Sequence, residues 1–176
     1  MPSYDLAEPE YQHTGGLTTN HLDQFQGSGR GLYLIIKFEF IEETSMSALE
    51  TIENLYSAFR GKDYDAFRAL CSDNIEWIQN EGFPKGGRFH GADSVITNVF
   101  HPFDKDWTYF KFRIDEMFES GDDSRVVVVG AYLGEHRQTR KTIEAAAVHL
   151  YEIEHSKVKR FRQFADTAVI TTALPD

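Results

Sequence analysis

From residue 107 to residue 170 the chain offers only strands and turns. Four stretches rich in β-branched and aromatic residues, 107–118, 125–133, 142–153 and 157–170, are broken by turn sequences such as 119–124 and Glu154-His155-Ser156. Long strands in succession pair with their neighbours, and the resulting sheet has to bury one face. The sequence ahead of them supplies the cover. Leu49, Ile52, Leu55, Tyr56 and Phe59 recur at helical spacing and predict a helix to about Arg60. Ser47 stands as its N-cap with Glu50 three residues on, the capping-box spacing. Gly61-Lys62-Asp63 breaks that helix, and Asp63 caps a second, whose apolar side is Ala66, Phe67, Leu70 and Cys71. A short strand at 75–79, a Gly- and Pro-rich loop at 80–91 and a third helix from about 92 to 100 follow. The order ααβαββββ predicts an α+β fold with the helices against one face of the sheet. Val126, Val127, Val128 and Val129 run without alternation, which predicts a central strand buried on both faces.

Residues 1–45 differ in character. Residues 1–31 hold Gly, Pro, Thr, Asn and Gln with no apolar period, and 32–41 have β-rich composition that fits an added strand. The expected division is an N-terminal extension at 1–45 and a domain at 46–174, opening at Met46. Hydrophobic residues make up 41% of the chain, enough for a packed core. A formal net charge of -10 argues against a nucleic-acid partner, because phosphate binding draws on Lys and Arg. No apolar run approaches the roughly 20 residues of a membrane span, so no membrane partner is expected. Asp5, Glu8 and Glu10 stand where a signal peptide would carry positive charge, and a cytoplasmic location is expected. The single cysteine, Cys71, precludes an intramolecular disulfide and reads as a small core residue.

Four segments carry a resemblance: YSAFRGKDYDAFRALCSDNIEW at 56–77, FHGADSVITNVF at 89–100, VVVVGAYLG at 126–134 and VHLYEIEHSKVKRFRQFADTA at 148–168. In this order they resemble the NTF2-like superfamily, in its SnoaL-like and ketosteroid-isomerase-related branch. The resemblance implies a cone-shaped fold, a curved and mostly antiparallel sheet with three helices over one face, an internal pocket, and homodimers through the sheet. No cofactor is expected. The resemblance does not by itself assign a function, because members include isomerases, cyclases, dehydratases and silent binding modules.

The residues depart from the named enzymes of that branch. Ketosteroid isomerase uses a carboxylate base, a helix tyrosine and a protonated aspartic acid. The positions that match them here are Gln79, Leu55 (with Tyr56 beside it) and Val148. A neutral amide abstracts no proton. The SnoaL-type cyclases pair an aspartate on the last strand with a histidine fourteen residues earlier. Here the histidine matches His149 and the aspartate position is Gln163. His149 is therefore one acid/base candidate, the alternatives being a core histidine or one on the outer face. Asp166 is the other candidate, as a pocket-mouth carboxylate, or else as a cap or ion-pair partner of the strand end. Glu81 can supply a loop carboxylate. Tyr56, Trp77, Gln79, Phe100, Tyr132 and Gln163 are candidates to bind a ligand, the aromatics doubling as core. His90, His101 and His149 lack ligand spacing, and no metal is expected. Lys157, Lys159, Arg160 and Arg162 read as an exposed strand face or dimer rim. Two functions stay open: proton transfer on a hydrophobic small molecule by a lyase, isomerase or cyclase, or a non-catalytic ligand-binding or dimerisation module.

Overall fold

The structure, a computed structural model, describes residues 45–175. The expectations for residues 1–44, the strand at 32–41 among them, fall outside these residues. Helix α1 spans Ala48–Gly61. Its start is the capping box read from the sequence: the Glu50 backbone N–H donates to the Ser47 hydroxyl, and the Ser47 N–H donates to the Glu50 carboxylate. Ile52, Leu55 and Tyr56 point to the sheet, and Ser57, Arg60 and Gly61 to solvent. Lys62 ends it in the left-handed region at φ 54°. Asp63 caps α2, Tyr64–Leu70, through the Ala66 N–H. Cys71 opens β1, Cys71–Ile78, and is buried. Burial pushes its thiol up to about 12, so it packs as an inert small residue.

The loop at 80–91 contains an additional strand, β2, Arg88–His90, hairpinned onto β1 with Trp77 opposite Phe89. The third helix is longer and less regular than its periodicity predicts. It starts as α3, Ala92–Val95, widens into a π turn at Ile96–Phe100, and continues as α4, His101–Asp106. The wide turn keeps Ile96 and Val99 buried while Phe100 turns toward Phe59 and Phe67.

The strands β3, Trp107–Glu119, β4, Arg125–His136, β5, Thr142–Glu154, and β6, Lys157–Ala165, follow in the predicted sequence. The sheet order is β2-β1-β6-β5-β4-β3, antiparallel except where β1 lies parallel to β6. α1 packs on β3, β4 and β6, and α2 on β1 and β6, so the helices cover one face of an α+β fold.

Two strand expectations are corrected. The last strand stops at Ala165, five residues before the predicted end. Asp166 then caps a short helix, α5, Thr167–Thr171, by accepting from the Val169 N–H at 3.1 Å. Thr167, Val169 and Ile170 look like strand composition, but the cap and the burial of Ile170 and Ala173 against β5 decide otherwise. The valine run is not buried on both faces. Val126 and Val128 are fully covered, whereas Val127 and Val129 are half-exposed on the outer face.

Candidate functional site

Period-2 alternation sorts the strand side chains into two faces. On β5 the inward set is Ala145, Ala147, His149 and Tyr151. Gln163 of β6 lies directly opposite His149, and Val128 of β4 on its other side. Tyr132 of β4 lies opposite Phe112 of β3 and Ala145. The two small alanines leave the space into which the larger rings lean. Tyr56 descends from α1 onto the same point.

The side chains form one hydrogen-bonded group. His149 Nδ1 is 2.6 Å from the Tyr56 hydroxyl, and His149 Nε2 is 2.7 Å from the Tyr132 hydroxyl. The Tyr151 hydroxyl donates to Tyr56 at 3.2 Å, and the Gln163 amide donates to Tyr132. Phe112 stacks on the imidazole with ring centres 4.1 Å apart, and Phe161 meets its edge at 5.0 Å. His149 is 4% exposed and Gln163 1%. Burial pushes the His149 pKa down to about 3, so the ring is neutral at physiological pH. Burial also raises Tyr56, Tyr132 and Tyr151 far above ordinary phenol values, so all three keep their protons. The group is uncharged, and each member holds the next in place.

His149 and the three tyrosines form one wall of a cavity of about 290 Å3. The volume lies near the lower end of small-molecule sites, about 300 Å3, and suits one or two fused rings. Trp77, Phe100, Phe110 and Phe112 line it with Tyr132 and His149. Gln79, the residue after β1, is buried on the lining, and its side-chain carbonyl has no partner among the described residues. At the rim stand Arg60, Lys62, Asp104 and Lys111. Among the described residues Asp104 is the single carboxylate on the lining, and it pairs with Lys62 at 2.7 Å.

Residues 52–161 match the model of the SnoaL-like domain. The chain is a member of the SnoaL-like domain family. Its fold is that of the NTF2-like proteins. An NTF2-like protein from Burkholderia thailandensis E264 is 30% identical, with a TM-score of 0.70 over 74% of this chain and 99% of its own. An NTF2-like protein of unknown function from Burkholderia pseudomallei K96243 is 25% identical, with a TM-score of 0.66 over 74% and 100%. TerC, co-crystallised with polyporic acid, shares the fold at 23% identity and a TM-score of 0.63 over 72% and 96%. No match is found among curated proteins.

Within this SnoaL-like domain the structure gathers most of the sequence candidates and separates two. His149, Tyr56, Trp77, Gln79, Phe100 and Tyr132 share the cavity, with Gln163 directly behind Tyr132. Asp166 does not meet His149. It is exposed, it caps α5, and it is off the lining. Glu81 is an exposed turn residue. His90 and His101 are exposed, on β2 and at the start of α4, and no three metal-binding side chains gather among the described residues. Arg160 bonds Glu76 and Glu152 across the outer face. Sequence reading missed Tyr151 and Phe112. Tyr151 sits two residues after His149, so the same alternation that turns one inward turns both.

Proposed function

We propose that this SnoaL-like protein binds a hydrophobic, ring-bearing carbonyl compound and acts on it by proton transfer. The observation that carries the reading is a neutral histidine, held through both ring nitrogens by tyrosines, in the wall of an aromatic cavity. The hydrogen bonds among the five polar side chains offset the cost of burying them and hold His149 and the tyrosines in one fixed arrangement on the cavity wall. A base of conjugate-acid pKa near 3 does not hold a proton at neutral pH. His149 therefore works as a fixed link between hydroxyls, and the activation of substrate comes from its oxygen end. Polarising a ring carbonyl acidifies the neighbouring C–H, the first step of isomerisation, elimination and cyclisation alike, and the proton passes to solvent or buffer base at the cavity rim, where Arg60, Lys62 and Lys111 stand.

That the one carboxylate on the lining among the described residues, Asp104, is paired with Lys62 favours a second reading, a binding module that does no chemistry. Exchange of the α-hydrogens of 2-tetralone into D2O, followed by proton NMR, separates the two. Proton transfer predicts exchange faster than buffer, abolished in His149→Phe and retained in Asp166→Asn. Saturable binding with no acceleration supports the binding module. Loss of exchange in Asp166→Asn would return the chemistry to that carboxylate. The proposed partner of the outer sheet face is a second copy of the chain.

A further inference from the structure

One polar side chain on the cavity lining is left without a partner. Gln79 is 6% exposed, and neither end of its carboxamide forms a hydrogen bond among the described residues. A buried carboxamide in this state costs stability, because the hydrogen bonds it made to water are not replaced. Trp77, two residues earlier on the same face, adds a buried indole N–H that also lacks a partner among the described residues. The hydrogen bonds around His149 stop one strand short of Gln79. β1 runs parallel to β6 with Ile78 opposite Arg162, so the next step of the register sets Gln79 beside Gln163, which stands opposite His149. Gln79 and His149 are thus two strand spacings apart, roughly 10 Å. Gln163 also keeps an unpartnered oxygen. A bond between the two glutamines, in either orientation of the two amides, still leaves Gln79 a hydrogen and a lone pair to spare, because a carboxamide has two of each.

We infer that Gln79 hydrogen-bonds a hydroxyl group of the ligand, which makes the substrate a hydroxylated ring compound whose hydroxyl lies at the β1 end, away from the carbonyl. This rests on the cavity being a ligand site. The chemistry at Gln79 selects a hydroxyl over other substituents. The charged residues of the lining, Arg60, Lys62, Asp104 and Lys111, are exposed at the rim, so an ionised group at Gln79 would be buried without a counter-ion. An ether or ketone oxygen only accepts, and leaves the amide oxygen unmatched. A hydroxyl accepts from the amide or indole N–H and donates to the amide oxygen, so it meets Gln79 in either orientation. A neutral amide takes no proton, and Gln79 is a specificity-determining residue: it decides which substituted ring is held.

The test uses the full chain with 2-naphthol and with naphthalene, the same bicycle without the hydroxyl, each titrated by calorimetry. In Gln79→Met, which keeps the length of the side chain and removes the amide, the affinity ratio of 2-naphthol to naphthalene is expected to fall about tenfold, equivalent to about 1.4 kcal/mol. The urea midpoint of the ligand-free variant is expected to rise, because no unmatched amide is buried. Gln79→Leu, with a shorter side chain, should lower the ratio and raise the midpoint as well, and it separates overpacking from any loss seen with methionine. A ratio that ignores both substitutions overturns the inference; a raised midpoint beside it would mean that the amide holds water alone. A midpoint lowered in both variants, or loss of folding in both, also overturns it, because the amide then has a partner within the protein. In each of these cases naphthalene binding to the wild type leaves the cavity reading standing. If neither compound binds the wild type, both readings fall.

Discussion

A histidine enclosed by Phe112, Phe161 and three tyrosines has, among the described residues, no carboxylate to stabilise its cation. Burial therefore decides its charge and holds its pKa at about 3 in the folded state, against about 6.5 in the unfolded chain. Between these values the unfolded chain takes up a proton that the folded chain refuses. Stability attributable to His149 is complete above pH 6.5 and falls as pH drops toward 3, by up to about 1.4 kcal/mol per pH unit. His149→Gln should remove that slope. Urea denaturation at pH 6.5 and pH 5 should show a stability loss smaller in the variant by on the order of 1–2 kcal/mol. Equal losses would place the titration on other groups. At this scale the sequence was legible in part. His149 and Gln163 stood out as a pair, and they face each other across β5 and β6. The role of Asp166 was not legible. A carboxylate that caps a helix and one that opens a pocket have the same neighbours in sequence.

At the scale of elements, β3, which puts Phe110 and Phe112 on the cavity wall, is irregular. Its register against β4 shifts between Ile114 and Glu116, leaving Asp115 unpaired. Gly130 lies opposite Ile114 at this point. A Cβ on Gly130 would stand 2.0 Å from the Arg113 carbonyl and 2.8 Å from the Phe112 ring. The first obstacle is backbone, which cannot swing aside as a side chain can. Gly130→Ala should cost about 3 kcal/mol, read as a lower midpoint in urea denaturation, and should also displace Phe112 from the His149 ring. A fall of less than about 0.5 kcal/mol, the range of neutral surface changes, would show that β3 yields easily. The bulge itself left no mark in the sequence. Residues 107–118 alternate only loosely, and a one-residue shift between two strands is decided by the strand opposite. Helix α1, by contrast, was fully readable, because its cap, its apolar stripe and its end are all local.

For the molecule as a whole, the outer face of the sheet is the surface that this chain leaves open among the described residues. One row across it runs Glu116, Val129, Val148, Phe164, and the next Phe118, Val127, Leu150, Arg162. Phe118 is 53% exposed and Phe164 46%. An unbroken valine run suits a strand covered on both sides, and the helices cover only one. The proposed second copy would bury these rows. Sedimentation at micromolar concentration should return the mass of a dimer. Phe118→Glu combined with Phe164→Glu should return a monomer that still binds 2-tetralone. A wild-type monomer across that range would remove the dimer from the account. No helix among the described residues is long and apolar enough to cross a membrane.

The sequence by itself determined the α+β class, the caps of the first two helices and the amides that stand at Gln79 and Gln163. These follow from local spacing and residue type. Only the tertiary structure decided which way His149 faces and that Tyr56 and Tyr132 close on its two nitrogens. It also ended β6 at Ala165 and set the outer face of the valine run apart from the inner one. The reason is parity. In a strand each residue faces opposite to the next, so every inward assignment depends on register and bulges set by partners far away in the chain.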